Sequence, residues 1–376
     1  MLFEVCLVMV TILDNQSRIE EVDQSNMLGD LAKTSEYCRD AINRAKRAIV
    51  PTNFNPKNIV VVGMGGSAIG GELLKDWLRE TLPVSIEVCR DYVLPAYVNK
   101  NTLVIANSYS GNTEETVTAF LSAVQKKCIV LAVTSGGQLA EFCKKLHVPH
   151  VLIPSGLQPR VAIPYMFFPL PILMEKMGLI SSIEDELDAA IKVIENVSKE
   201  NKSTIPTKNN QAKTIAEKIL GTIPVVYGFR QYNSVAHRMK AQFNENSKLP
   251  SKSESFPELN HNETVGFNAP NDLIEKLSVI LIRDPDEPLE LKNRIETSAK
   301  LVFQKAKNVI EISAQGPTKL TKMFSVLSMG DYVSVYLALL QNKDPTPVKI
   351  IDKVKTELAK KNRMKERFET ELAKLK

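Results

Sequence analysis

Five of the chain's sixteen glycines fall within nine residues, Gly63-Met64-Gly65-Gly66-Ser67-Ala68-Ile69-Gly70-Gly71. They follow an apolar run, Ile59-Val60-Val61-Val62, and precede an amphipathic one, Glu72 to Leu78. The pattern predicts a buried strand, a tight turn and a helix start. Glycine lets the backbone turn sharply and lets an anion approach bare N–H groups. The helix N-terminus behind it adds unpaired donors and a positive dipole end. A second turn, Asn107-Ser108-Tyr109-Ser110-Gly111-Asn112-Thr113, follows the apolar run Leu103–Ala106. Hydroxyls at Ser108, Ser110 and Thr113, beside helix-start N–H groups, suit a phosphate monoester. Gly65, Gly66 and Ser67 complete the cradle from the first turn. Capping by Thr113, with Glu115 in the first helical turn, accounts for one hydroxyl of the three. Gly63 to Ala68 also fits G-x-G-x-x-A, with Glu87 at the acidic ribose position, so a nicotinamide dinucleotide stays open as a ligand.

Two such turns need a sheet to hold them side by side. Helix is expected over Asp23–Ile49, 67–79, 113–126 and 137–145, and strand at Ile59–Val62, Val84–Val88, Leu103–Ala106, Ile129–Val133 and His150–Ile153. Short apolar strands spaced by helices predict an α/β unit with a parallel sheet covered on both faces. Residues 163–200 read as helical, and the polar stretch Lys199–Gln211 reads as a linker. The pattern then restarts at Val225-Val226-Tyr227-Gly228, with a helix through Phe243, a strand at Leu277–Arg283, another at Val309–Ile312 and a long helix over 319–341. Aligned at Gly63 and Gly228, the halves are offset by 165 residues (228 − 63), so the chain reads as a duplicated unit. The second copy has Phe229-Arg230-Gln231 and Asp284-Pro285-Asp286 at its strand ends. Carboxylates repel phosphate and prolines donate no N–H, so one phosphate site per chain is expected, in the first half.

Bulk composition narrows the classes. A chain of 376 residues, 44% hydrophobic and 24% charged, suits a two-domain globular protein. No uninterrupted apolar run reaches the roughly 18 residues that span a bilayer, so no membrane partner is expected. Met1–Val10 is apolar but short and contains Glu4; it reads as an extra strand or an overextended start rather than a signal peptide. The net charge of +5 resides in residues 349–376, which hold ten Lys/Arg and five Asp/Glu; the remainder balances at 38 of each sign. That is a mixed-charge helical tail, and it argues against a nucleic-acid partner. Cys6, Cys38, Cys89, Cys128 and Cys143 form no C-x-x-C pair, which implies reduced thiols and a cytoplasmic location. The four histidines lack metal-ligand spacing to any cysteine, so no metal and no cofactor are expected.

The two turns resemble the phosphate loops of sugar isomerase domains, and the chain as a whole resembles the archaeal bifunctional phosphoglucose/phosphomannose isomerases. Further segments carry the likeness: Arg90–Pro95, Pro154–Arg160, Phe243–Lys248, Asn260–Glu263 and Asp344–Val348. It covers about residues 23–358. The resemblance implies two tandem sugar isomerase domains, each a parallel sheet flanked by helices. The expected layout is an N-terminal extension and helix over 1–50 and a phosphate-binding domain over 51–160. A helical linker over 161–211, a second domain over 212–345 and a C-terminal helix and tail over 346–376 follow. It implies reversible isomerisation of glucose 6-phosphate and mannose 6-phosphate to fructose 6-phosphate through an enediol. Glu245 is then the base that moves a proton between C1 and C2. His261, in the polar loop Asn260–Glu263, serves ring opening and reaches the site from the partner of a homodimer. Arg160, after a strand end, offsets enediolate charge. Lys355 matches the family's C-terminal lysine, assigned to ring opening. Two other enzyme or binding classes stay in view: a phosphosugar sensor without turnover, and an amino-sugar phosphate isomerase.

Overall fold

A computed structural model describes residues 12–376 other than 53, 363, 374 and 376. The apolar segment Met1–Val10, with Cys6, lies outside the described residues. Three helices lead in: α1 (Gln16–Val22), α2 (Met27–Ala32) and α3 (Thr34–Arg47). The first sheet follows as β1 (Asn58–Val62), α4 (Gly66–Leu78), β2 (Ser85–Cys89), β3 (Thr102–Ser108), α5 (Glu114–Gln125), β4 (Ile129–Thr134), α6 (Gly137–Lys145) and β5 (His150–Leu152). Its five strands run in the order β2-β1-β3-β4-β5, all parallel. β3 is buried at every position, as a central strand covered on both faces must be.

Helices α7 (Ile163–Phe167), α8 (Pro169–Lys176) and α9 (Glu184–Asn201) connect to the second half. The stretch 163–200 is helical as expected, divided into three by Pro169, Pro171 and Gly178. The second half runs α10 (Gln211–Ile219), β6 (Ile223–Phe229), α11 (Asn233–Glu245), β7 (Lys252–Phe256), α12 (Glu263–Gly266), α13 (Asn271–Ile274), β8 (Leu277–Arg283), α14 (Leu289–Leu301), β9 (Asn308–Ser313) and α15 (Lys319–Leu340). Its four parallel strands are ordered β7-β6-β8-β9, the arrangement of β2-β1-β3-β4 repeated. The chain is thus an α/β protein with two sheets of one topology. Strand β7 is new relative to the sequence reading.

The halves share their helices. α15 is buried from Leu320 to Leu339 and packs against α9, α10 and α11. By length and composition it could cross a membrane, yet 94% of its most apolar window is inside the protein; it is the central core helix. The stretch Lys199–Gln211 is packed, not a free tether. Asn201 accepts from Ala212 N at 2.9 Å, and Lys213, wholly buried, donates to the carbonyls of Leu13, Ser203 and Ile205. Two last helices, α16 (Lys349–Asn362) and α17 (Met364–Ala373), close the chain.

Candidate active site

β1 and β3 are neighbours, but the chain leaves them toward opposite sides of the sheet, which opens a crevice at their C-terminal ends. Both sequence-predicted turns sit there. Gly65 holds φ +51°, which a side chain rarely adopts, and a Cβ on Gly66 would stand 2.8 Å from the Pro159 carbonyl oxygen. Gly65 is therefore required by its backbone conformation, and Gly66 by the packing of Pro159 and Arg160 against this turn. The two turns are also bonded together. Ser67 Oγ accepts from Tyr109 N at 3.1 Å, and Asn107 Nδ2 donates to Ser67 O at 2.8 Å and Met166 O at 2.9 Å. Thr113 occupies the N-cap of α5 without a side-chain cap bond; its hydroxyl lies 3.3 Å from that of Ser108. Ser110 is exposed and its Oγ accepts from Asn112 N at 3.2 Å. Thr113 is thus the N-cap by position, with Glu115 in the first turn, but its hydroxyl is not spent on a cap bond, and two hydroxyls remain adjacent at a helix start.

Arg160 connects this cradle to the second half. Its Cα lies 3.5 Å from where a Gly66 Cβ would stand, and its side chain is 2% exposed. The guanidinium donates to Asn246 Oδ1 at 2.5 Å and to the carbonyls of Pro345 and Thr346, each at 2.7 Å. It reaches Glu245 Oε2 at 3.6 Å. Burial pulls the Arg160 value down, Glu245 opposing it. Glu245 ends α11 and its side chain is 29% exposed, open enough for a ligand. Beneath it, Arg238 donates to Arg160 O at 2.8 Å and to Asp331 Oδ2 at 2.7 Å, while Gln242 donates to Asp331 Oδ1 at 2.8 Å. Lys248 donates to the carbonyls of Glu245 and Pro345. Burial, then Arg160, pushes its ammonium down to about 8.

The structure brings Gly65, Gly66, Ser67, Ser108, Thr113, Arg160 and Glu245 to one crevice. His261 stands apart, exposed at the end of a short helical turn, Glu258–His261, after β7. Lys355 is exposed on α16. Lys248, Arg238 and Asp331 had no role in the sequence reading, and Asn246, whose place beside Glu245 suggests an amide that orients its carboxylate, accepts from Arg160 instead; the segments Phe243–Lys248 and Asp344–Val348 marked their neighbourhood, but only contacts across the fold identify the partners. Among the described residues, no group of three or more His, Cys, Asp or Glu side chains is placed to hold a metal ion. A cavity of about 900 Å³ between the edge strands β2 and β7, lined by Glu72, His237 and Ser253, touches none of the predicted site residues.

The corresponding crevice of the second half is filled by the protein itself. Asp284, at the end of β8, accepts from Tyr232 Oη at 2.5 Å, from Lys322 Nζ at 2.9 Å and from Asp286 N at 2.9 Å. Its carboxyl is held below the ordinary range by these donors in spite of burial. A carboxylate paired with Lys322 stands where an anion would bind.

Comparison with known proteins follows this division. Residues 54–157 match the family described as SIS domain, and residues 208–358 match the bacterial phospho-glucose isomerase C-terminal SIS domain. A bifunctional phosphoglucose/phosphomannose isomerase of Caldicellulosiruptor bescii is 42% identical over 80% of this chain and 89% of its own. One from Aquifex aeolicus is 35% identical, over 81% of this chain and 91% of its own. A D-glucosamine-6-phosphate 4-epimerase of Sulfolobus acidocaldarius is 29% identical over 85% and 94%. Among solved structures, a glucose-6-phosphate isomerase-like protein from Thermus thermophilus superposes with a TM-score of 0.61 at 17% identity, over 90% of this chain and 98% of that one.

Proposed function

The chain belongs to the bifunctional phosphoglucose/phosphomannose isomerases, and on that footing we propose that it interconverts glucose 6-phosphate and mannose 6-phosphate with fructose 6-phosphate in the crevice of its first half. The phosphate rests against the glycine turn of Gly65, Gly66 and Ser67 and the hydroxyls of Ser108, Ser110 and Thr113, at the starts of α4 and α5. Ser67 serves chiefly by tying the two turns together. The sugar then extends toward the second half. His261 of a second copy and Lys355 pass the O1 proton to the ring oxygen, opening the ring. Glu245 removes the C2 proton of the aldose and returns it to C1, and the O1 and O2 protons rearrange to leave the ketose. Arg160, desolvated and permanently charged, offsets the negative oxygen of the enediolate. Returning the proton to either face of a planar C2 gives glucose or mannose configuration from one intermediate. The reading takes the enzyme as a homodimer acting in the cytoplasm, where free thiols such as Cys38 and Cys143 persist.

The observation that carries this reading is Arg160, whose backbone abuts the glycine turn while its buried guanidinium lies 3.6 Å from Glu245. A phosphate held at the turn puts the far end of a six-carbon sugar toward that pair. The test is a coupled assay with both hexose 6-phosphates, with and without a chelator. Glu245→Gln is expected to lower kcat by about 10²–10⁴-fold with KM within a few-fold. Near-wild-type turnover of this variant would remove Glu245 as the base. Binding of fructose 6-phosphate without turnover by the wild type would favour a sensor, and turnover confined to amino-sugar phosphates would favour that other chemistry.

A further inference from the structure

The matched family region ends at residue 358, and the chain beyond it is built against the opposite half of the protein. Asn362 of α16 donates to Glu114 Oε2 at 3.0 Å. Glu114 opens α5 directly behind Thr113 of the phosphate cradle. α17 then buries Phe368 and Leu372, 2% and 5% exposed, in the apolar cluster that holds Val117, Phe120, Leu139 and Phe142. The Phe368 and Phe142 rings meet edge to face, with centroids 6.4 Å apart. Spacing of four residues puts both anchors on one face of α17, which is the contact.

The other end of α16 is tied just as firmly. The carbonyls of Pro345 and Thr346, four and three residues before Lys349, are bound by Arg160, and that of Pro345 also by Lys248. Between these ends the 14 residues of α16 extend about 21 Å. Residues 351–358 are all exposed. A helix of this length without packing is marginal in water, so its two ends set its place. They are the Arg160–Glu245 pair and the start of α5, the two sides of the crevice. Lys355 rides on it, two turns before Asn362.

We propose that α17 is a clip: Phe368 and Leu372, with Asn362, position α16 and its Lys355 across the crevice. They are positioning residues; none touches substrate. The catalytic consequence rests on the isomerase reading above, whereas the clip itself does not. The experiment compares the wild type with the pair Phe368→Ala/Leu372→Ala, alone and combined with Lys355→Ala. Hydrogen exchange of the 349–362 amides is expected to speed by about tenfold or more in the clip variant while β1 and β3 stay protected. For glucose 6-phosphate, kcat is expected to fall by about tenfold with KM within about twofold, and the loss to vanish in the Lys355→Ala background. Phe368→Leu, which keeps an apolar anchor, is expected to restore both readouts. Unchanged exchange in α16 overturns the clip. Faster exchange with unchanged kcat, or a loss that persists undiminished without Lys355, overturns the positioning role while leaving the isomerase reading intact. Absence of turnover in the wild type would fall on that reading alone, and the exchange measurement would still decide whether α17 holds α16.

Discussion

Lys248 is the side chain in this site with the plainest electrostatic cost. It is half-buried beside Arg160, and its ammonium falls from 10.5 to about 8. Between about 8 and 10.5 the folded protein therefore binds fewer protons at this group than the unfolded chain does. The charge costs stability below about 8, and the cost is relieved as pH rises toward 10.5, so this group makes stability increase with pH across that window. Lys248→Met is expected to flatten that increase, measured as urea midpoints from pH 8 to pH 10.5. Equal slopes in variant and wild type would place the cost elsewhere. Nothing in the sequence Asn246-Ser247-Lys248-Leu249 announces this lysine, because its neighbours Arg160 and Pro345 come from distant segments. The two turns were legible by contrast, since Gly65, Gly66, Ser108 and Thr113 lie in short local segments whose pattern is written in adjacent residues.

α11 is the element through which the halves share one site. Near its start Ser234 N donates to Asp76 and His237 meets Glu72, both on α4. In its middle, Arg238 and Gln242 bind Asp331 of α15, and its last residue is Glu245. Burial raises the Asp331 carboxyl and Arg238 opposes this. Asp331→Ala leaves Arg238 buried without its carboxylate, and is expected to lower unfolding free energy by about 3–5 kcal/mol in urea titration. A loss under about 1 kcal/mol would mean that water reaches Arg238 and replaces the ion pair. The helix itself was legible from its pattern, as were β1, β3, β6 and β8, whose apolar runs are central strands. β7 was not: Lys252-Ser253-Glu254-Ser255-Phe256 is an edge strand, and only its pairing with β6 makes it one. The packing of the stretch Lys199–Gln211, and of Lys213 just beyond it, was not legible either. Asn201, Asn210 and Lys213 are polar residues buried by bonding to backbone, which composition cannot distinguish from a solvated tether.

Duplication gives the whole molecule two equivalent crevices, and Asp284 with Lys322 occupies one of them. The proposed pairing of each crevice with His261 of a second copy has a numerical signature. Mixtures of Glu245→Gln and His261→Asn, each inactive alone, are expected to recover about a quarter of wild-type activity after subunit exchange, because half of the randomly reassorted dimers carry one intact site of two. No recovery, with exchange verified by mass, would keep His261 in its own chain's site or out of the chemistry. The duplicated pattern was visible in the sequence through Gly63 and Gly228 and through the repeated spacing of apolar runs. Their joining by Arg160 was not. That joining also bears on how the protein is made. Arg160 emerges from the ribosome 186 residues before Thr346, whose carbonyl it binds. At roughly 5–20 residues per second, the guanidinium waits about 10–40 seconds for its acceptors. The first half can form its sheet in that interval, but the nascent chain has no assembled site until the segment carrying Pro345 and Thr346 has emerged.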